Sequence, residues 1–140
     1  MRVSAKSEYA IRAMLDLAIH YEKGLIPIQE IAARQGIPQR YLEQVLLLLK
    51  RAGFLASKRG AGGGYHLARP PGEISVGEVL RAVEGLPAPV DVGHHRSEDL
   101  QDLWREILDA VSAVVDRTTF ADLSKRIEER AGVARPMYHI

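Results

Sequence analysis

The sequence contains no cysteine. That absence excludes disulfides, thiolate zinc sites and iron–sulfur clusters held by cysteine. Long apolar runs are missing as well: no stretch approaches the roughly 20 residues that a membrane-spanning helix needs. The opening residues, MRVSAKSEYA, carry no apolar core of the kind that marks a secretory signal. There is no thiol nucleophile, no nucleotide-binding glycine motif and no convincing acid–base cluster, so an enzyme is not expected. A soluble cytoplasmic protein is the expectation.

What is present bounds the answer further. The chain has 140 residues, enough for one compact domain or a small domain with an appendage, and 46% of them are hydrophobic, enough for a real core. Net charge is +1, but it is unevenly placed. Residues 1–70 hold 11 Lys+Arg against 5 Asp+Glu, and residues 71–140 hold 8 against 13. A basic first half and an acidic second half suggest that the first half meets a polyanion.

Apolar spacing predicts a helix over 7–21, with Tyr9, Ala10, Ala13, Met14, Leu17, Ala18 and Tyr21 on its buried face and Gly24 ending it. Lys6 and Tyr9 at its start are placed to touch phosphates; the plainer reading is a solvated charge and a core ring. A shorter helix follows over 28–35, with Ile28, Ile31 and Ala32 inward. Gly36 suits a left-handed cap, Ile37 can pack under the turn, and Pro38 suits the first position of a third helix over 38–52. Two helices joined by a short glycine turn match a helix-turn-helix.

On the third helix Leu42, Val45, Leu46 and Leu49 form one core stripe. Arg40, Glu43, Gln44, Leu47 and Arg51 lie opposite. Such groups can read base edges in a major groove, and the N-terminal ones reach deepest, which favours Gln39, Arg40, Glu43 and Gln44. An ordinary solvated helix face is the alternative. Gln29, on the shorter helix, joins the set of candidate DNA contacts. Gly53 closes the third helix, and strands are predicted over 55–58 and 65–67. The glycine-rich tip between them lacks a Gly-Lys-Ser/Thr ending and does not lead into a helix, so it is not a phosphate-binding loop. It reads as a wing, with Lys58 and Arg59 at its base suited to a backbone or a minor groove; a plain mobile hairpin is the other possibility.

Ser75-Val-Gly-Glu78 is a capping box that opens a helix through Val83. Residues 85–97 are a loop by composition, and a long helix is predicted over 98–118. Leu100, Leu103, Trp104, Ile107, Leu108, Val111, Val114, Val115 and Thr118 form one stripe on it, with Asp102, Arg105, Asp109 and Asp116 opposite. So long a stripe needs a partner, and a homodimer seam is expected from Leu100 to Val115; an intramolecular core helix is the alternative. Thr119-Phe-Ala-Asp122 is a second capping box, opening a last helix to about Arg130, with a loosely ordered tail over 131–140.

The stretches SAKSEYAIRAMLDLA, EIAARQGIPQRYLEQVLLLLKRAGFLASKRGAGGGYHLAR, ISVGEVLRAVEG and TTFADL together resemble the BadM/IscR/NsrR/CymR-type winged helix-turn-helix regulators, over residue 1 to about 125. The resemblance implies a bacterial, dimeric transcription regulator on an imperfect palindrome. It places Tyr41, Glu43 and Gln44 on the recognition helix and Arg59 on the wing. Iron–sulfur members carry three cysteines in the loop before the long helix. Here that loop has none and holds His94 and His95 instead. The chain is thus similar to the cluster-free branch, whose known type represses cysteine metabolism and works with a cysteine-synthesis enzyme. A metabolic enzyme as co-regulator carries over only as a hypothesis.

The expected architecture is mostly α: a winged helix-turn-helix DNA-binding domain over 1–84, a cysteine-free effector-type loop over 85–97, and a dimerisation helix, C-terminal helix and tail over 98–140. The expected function is a cytoplasmic, homodimeric, sequence-specific regulator, a repressor, that binds double-stranded DNA without a cofactor. Two alternatives stand beside it. One is a metal-responsive regulator using His94, His95, Asp91, Glu98 or Asp99. The other is a winged helix serving only as a protein-interaction module.

Overall fold

The computed structural model describes residues 3–84 and 98–134. Its first helix, α1, spans Ala5–Ile19 and begins earlier than the apolar spacing suggests, because Ser4 caps it. The Ser4 Oγ accepts the Ser7 N–H at 3.1 Å. Helical register ends at Ile19, and a 3-10 turn, Tyr21–Lys23, follows up to Gly24. Tyr21 therefore leaves the expected buried stripe and stands exposed. Ala10, Ala13, Met14, Leu17 and Ala18 are buried as the spacing predicts.

The second helix, α2 (Ile28–Gln35), buries Ile31 and half-buries Ile28 and Ala32. Gly36 ends it at φ 63° and ψ 35°, the left-handed cap that disfavours a side chain. The Ile37 N–H reaches back to the Ala32 carbonyl at 3.1 Å, and Ile37 is buried under the turn. The third helix, α3 (Gln39–Arg51), starts one residue later than expected. Pro38 is its N-cap, with an extended ψ of 127°, rather than its first helical residue. Leu42, Val45, Leu46 and Leu49 are all buried.

Strands β1 (Leu55–Lys58) and β2 (Gly64–Leu67) pair antiparallel, Leu55 opposite Leu67 and Lys58 opposite Gly64. Ile26 adds a bridge to Tyr65, with backbone bonds of 2.9 Å in both directions, and so docks the hairpin beside the entry to α2. A Cβ at position 64 would lie 2.4 Å from the Ile26 carbonyl oxygen, so this close approach requires glycine.

A 3-10 turn, Pro71–Glu73, leads to α4 (Val76–Glu84); α5 (Glu98–Arg117) and α6 (Phe120–Ala134) complete the described residues. Both expected capping boxes form. Ser75 and Glu78 exchange bonds of 2.9 and 3.1 Å, and Thr119 and Asp122 do the same. α6 runs past the expected end at Arg130, as far as Ala134, into the first part of the expected tail. The rest of that tail and the loop over 85–97 lie outside the described residues.

The core is organised around α1, which packs on α2, α3, α4 and α6. Phe120, at the start of α6, is fully buried in it with Met14, Leu42, Leu46 and Leu49. α5 contributes no buried residue. Among the described residues, no helix is long and apolar enough to cross a membrane.

Candidate nucleic-acid interface

Burial of one stripe of α3 in the core leaves the other face to solvent. Gln39, Arg40, Tyr41, Glu43 and Gln44 are all exposed there, and Leu47 extends the same face at 45% exposure. Arg40 folds over its neighbour: its guanidinium carbon lies 5.1 Å from the Tyr41 ring centre and its Nη2 donates to the Tyr41 hydroxyl at 3.3 Å. An arginine fork and a phenol therefore stand together at the N-terminal turn of the helix, where base contact is deepest in helix-turn-helix proteins.

Tyr41 and Gln44 also meet the start of α1. With Ala5, Lys6, Tyr9 and Val45 they line a concave patch of about 300 Å³. The patch presents one ammonium, two phenols and an amide over an apolar floor, a surface fitted to sugar and phosphate. Tyr9 is half-buried against the core and also lines the patch. Lys58 and Arg59 are exposed at the end of β1, and Gln29 is exposed in the first turn of α2. These three do not line the patch.

Three supporting residues stand outside the expected set. Arg12 stands 5.8 Å over the Tyr9 ring, and Arg69 stands 5.7 Å over Phe54 beside the hairpin. The three-residue spacing of Tyr9 and Arg12 on one helix could have signalled the first. Asp16 is the third. It is 1% exposed and receives Arg34 bidentately, Nε to Oδ1 and Nη2 to Oδ2 at 2.9 Å each, with Gln35 Nε2 on Oδ1 at 3.1 Å. The hydrogen bond that Arg34 donates to Asp16 raises the Arg34 pKa against the opposing effect of burial. This pair fixes α2 to α1 and so fixes the platform on which α3 turns.

A supported third helix with a polar outer face, a basic hairpin and a patch at the foot of α1 make up the winged helix-turn-helix arrangement. The profile of the family described as Rrf2, iron-dependent transcriptional regulator, matches residues 3–126. The chain belongs to the Rrf2 family. It is 39% identical over 132 residues to the HTH-type transcriptional regulator IscR of Aliivibrio salmonicida, covering 88% of this chain and 77% of that protein. It is 37% identical over 124 residues to the HTH-type transcriptional regulator CymR of Bacillus subtilis, covering 89% of this chain and 90% of CymR. The solved structure of CymR, the global cysteine regulator of B. subtilis, is similar at a TM-score of 0.84 and 36% identity, over 90% of this chain and 98% of that one. The structure of T. potens IscR is similar at 0.81 and 38% identity, over 93% and 90%. These relatives are transcriptional regulators and not enzymes. This Rrf2 chain is accordingly a transcriptional regulator, and DNA is its partner.

An iron-dependent family needs side chains that can hold iron. A thiolate-held cluster does not fit a chain without cysteine. Glu98 and Asp99 are exposed in the first turn of α5, while Asp91, His94 and His95 lie outside the described residues. Among the described residues, no group of three or more His, Asp or Glu side chains is placed to hold a metal ion.

Proposed function

We propose that this Rrf2 regulator is a homodimeric, cluster-free repressor of a palindromic operator, acting in the cytoplasm. The observation that carries the proposal is the uncovered face of α5. Leu100, Leu103 and Val114 stand 44%, 44% and 48% exposed, and Trp104, Ile107, Leu108, Val111 and Val115 are only half-buried. An apolar stripe about 30 Å long, left open beside a closed core, calls for a second copy of itself. In this reading residues 1–84 are the DNA-binding head, 85–97 the place where a signal enters, and α5 the arm, with α6 folded back onto the head. Two heads on one arm pair would sit about one DNA turn, 34 Å, apart.

The contacts follow from the site. Gln39, Arg40, Tyr41, Glu43 and Gln44 enter a major groove, Lys6, Tyr9 and Gln29 hold the backbone, and Lys58 and Arg59 follow the wing along an adjacent groove. Gln44→Ala and Arg59→Ala are each expected to weaken binding to the protein's own upstream region by about 1–3 kcal/mol, with affinity falling steeply as salt rises. A gel shift and a salt titration measure both. If both variants bind that fragment like the parent, the assignment of these residues fails. Sedimentation of the parent reads the oligomer directly, and a monomer at micromolar concentration would remove the dimer.

A further inference from the structure

Helix α4 holds both parts of the molecule. On one side the Arg81 guanidinium grips the Asp116 carboxylate of α5 through two bonds, Nη1 to Oδ1 at 2.6 Å and Nη2 to Oδ2 at 2.7 Å. At its far end Glu84, the last residue of α4, accepts the hydroxyls of Ser4 and Ser7 on one oxygen, Ser7 at 3.0 Å. Ser4 is the cap of α1, and the residues beside it, Lys6 and Tyr9, line the patch with Tyr41 and Gln44. The polar links therefore run from the arm, through α4, to the foot of the reading face. Backbone bonds support the first link: the Val76 N–H donates to the Thr118 carbonyl at 2.8 Å, and the Phe120 N–H to the Ile74 carbonyl at 3.1 Å.

Gly77 lies beneath the ion pair. A Cβ there would stand 2.1 Å from Asp116 Oδ1 and 3.0 Å from Arg81 Nη1. Gly77 is the second residue of α4, and its lack of a side chain leaves room for the fork. The pair is also half-exposed, and exposed pairs contribute little stability. What a bidentate pair adds is direction, because a guanidinium fork and a carboxylate must lie coplanar to make two bonds.

We infer that α4 is a strut that sets the angle between the arm and the DNA-reading face, with Arg81 and Asp116 as positioning residues for palindrome binding. The inference rests on the homodimer reading above. In such a dimer a small rotation of head against arm displaces both heads at once, and the spacing between them changes. A single half-site does not sense that spacing, whereas a full palindrome does.

The test uses the full chain, a duplex that the parent selects from a random pool, and the same duplex shortened to one half-site. Arg81→Asp and Asp116→Arg should each weaken full-site binding about tenfold, with half-site binding held within about twofold. The charge-swapped double variant should recover most of the loss. Gly77→Ala keeps both charges but crowds the fork. It should weaken full-site binding while its Tm stays level or rises, which a merely structural role does not predict. Should a reversed charge unfold the head, Arg81→Gln carries the same comparison. Parental full-site affinity in the single variants overturns the inference, as does an equal loss on full and half sites or no recovery on swapping. A parent that is monomeric, or that selects no symmetric site, brings down the homodimer reading itself and the strut with it; that failure shows in the parent and not in the variants.

Discussion

The head and the arm are built from the same pattern and meet opposite fates. α3 and α5 both carry apolar residues at three- and four-residue spacing. In α3 that stripe disappears: Leu42, Leu46 and Leu49 are 0% exposed. In α5, over 20 residues, none is buried. The difference lies in neighbours. α3 packs on α1, α2, α4 and the hairpin, whereas the main partner of α5 is α4. Periodicity therefore says that a helix has an apolar face and leaves open what covers it. A buried Leu or Val side chain is worth about 1.5–3 kcal/mol, so the open stripe is stabilisation that only a second surface can realise.

The strongest way to break this comparison is to cut one side chain in each region. Phe120 sits after the arm in sequence but in the head core in space. Phe120→Ala should cost about 3–5 kcal/mol in urea unfolding at any protein concentration. Val114→Ala should cost less than about 0.5 kcal/mol at concentrations that favour monomer, and should lower the midpoint only where dimer forms. If Val114→Ala proves as costly as Phe120→Ala at low concentration, the arm is part of the core and the comparison collapses.

Charge sharpens it next. In the head, Arg34→Ala would leave the buried Asp16 carboxylate with Gln35 as its remaining side-chain hydrogen-bond donor. Breaking a buried pair from one side costs about 3 kcal/mol. In the arm, Arg105 and Asp102 stand 3.8 Å apart at 71% and 74% exposure. Arg105→Ala should change stability by less than about 0.5 kcal/mol. Denaturant midpoints of the two variants, measured together, check the contrast; similar losses would mean that burial does not govern these pairs.

Most of the head was legible because its signals are local. The spacing of α1, the glycine turn at Gly36, the stripe of α3 and both capping boxes are written within a few residues of where they act. The errors were at ends: Ser4 starts α1 early, Pro38 caps α3 without joining it, and Tyr21 falls outside the helix that was to bury it. What sequence could not reveal is pairing across long separations. Asp116 reads as part of the polar face of α5, yet it reaches Arg81 in α4. Asp16 is buried, and its partner Arg34 comes from α2, 18 residues along the chain. In the candidate site, the exposed face of α3 was readable from its stripe, while the junction of Lys6 and Tyr9 with Tyr41 and Gln44 needed the packing of α1 on α3.

The smallest expected effect concerns acid. The bidentate Arg81 contact holds the Asp116 carboxyl below its ordinary range, and hydrogen bonds from Ser4, then Ser7, do the same for Glu84. A carboxylate whose folded pKa is depressed contributes stability that is present above its unfolded value and lost as pH falls through the folded value. Stability should therefore hold from neutral pH toward the ordinary carboxylate range, about 4, and decline below it. Asp116→Asn and Glu84→Gln lack the titrating group. Their Tm should lie slightly under the parent's at neutral pH and converge with it in acid. Both side chains are at the surface, so high salt should shrink the gap. Parallel Tm curves for parent and variants across that range would show that neither carboxyl is held differently in the folded chain, and the strut between arm and head would lose its polar ends.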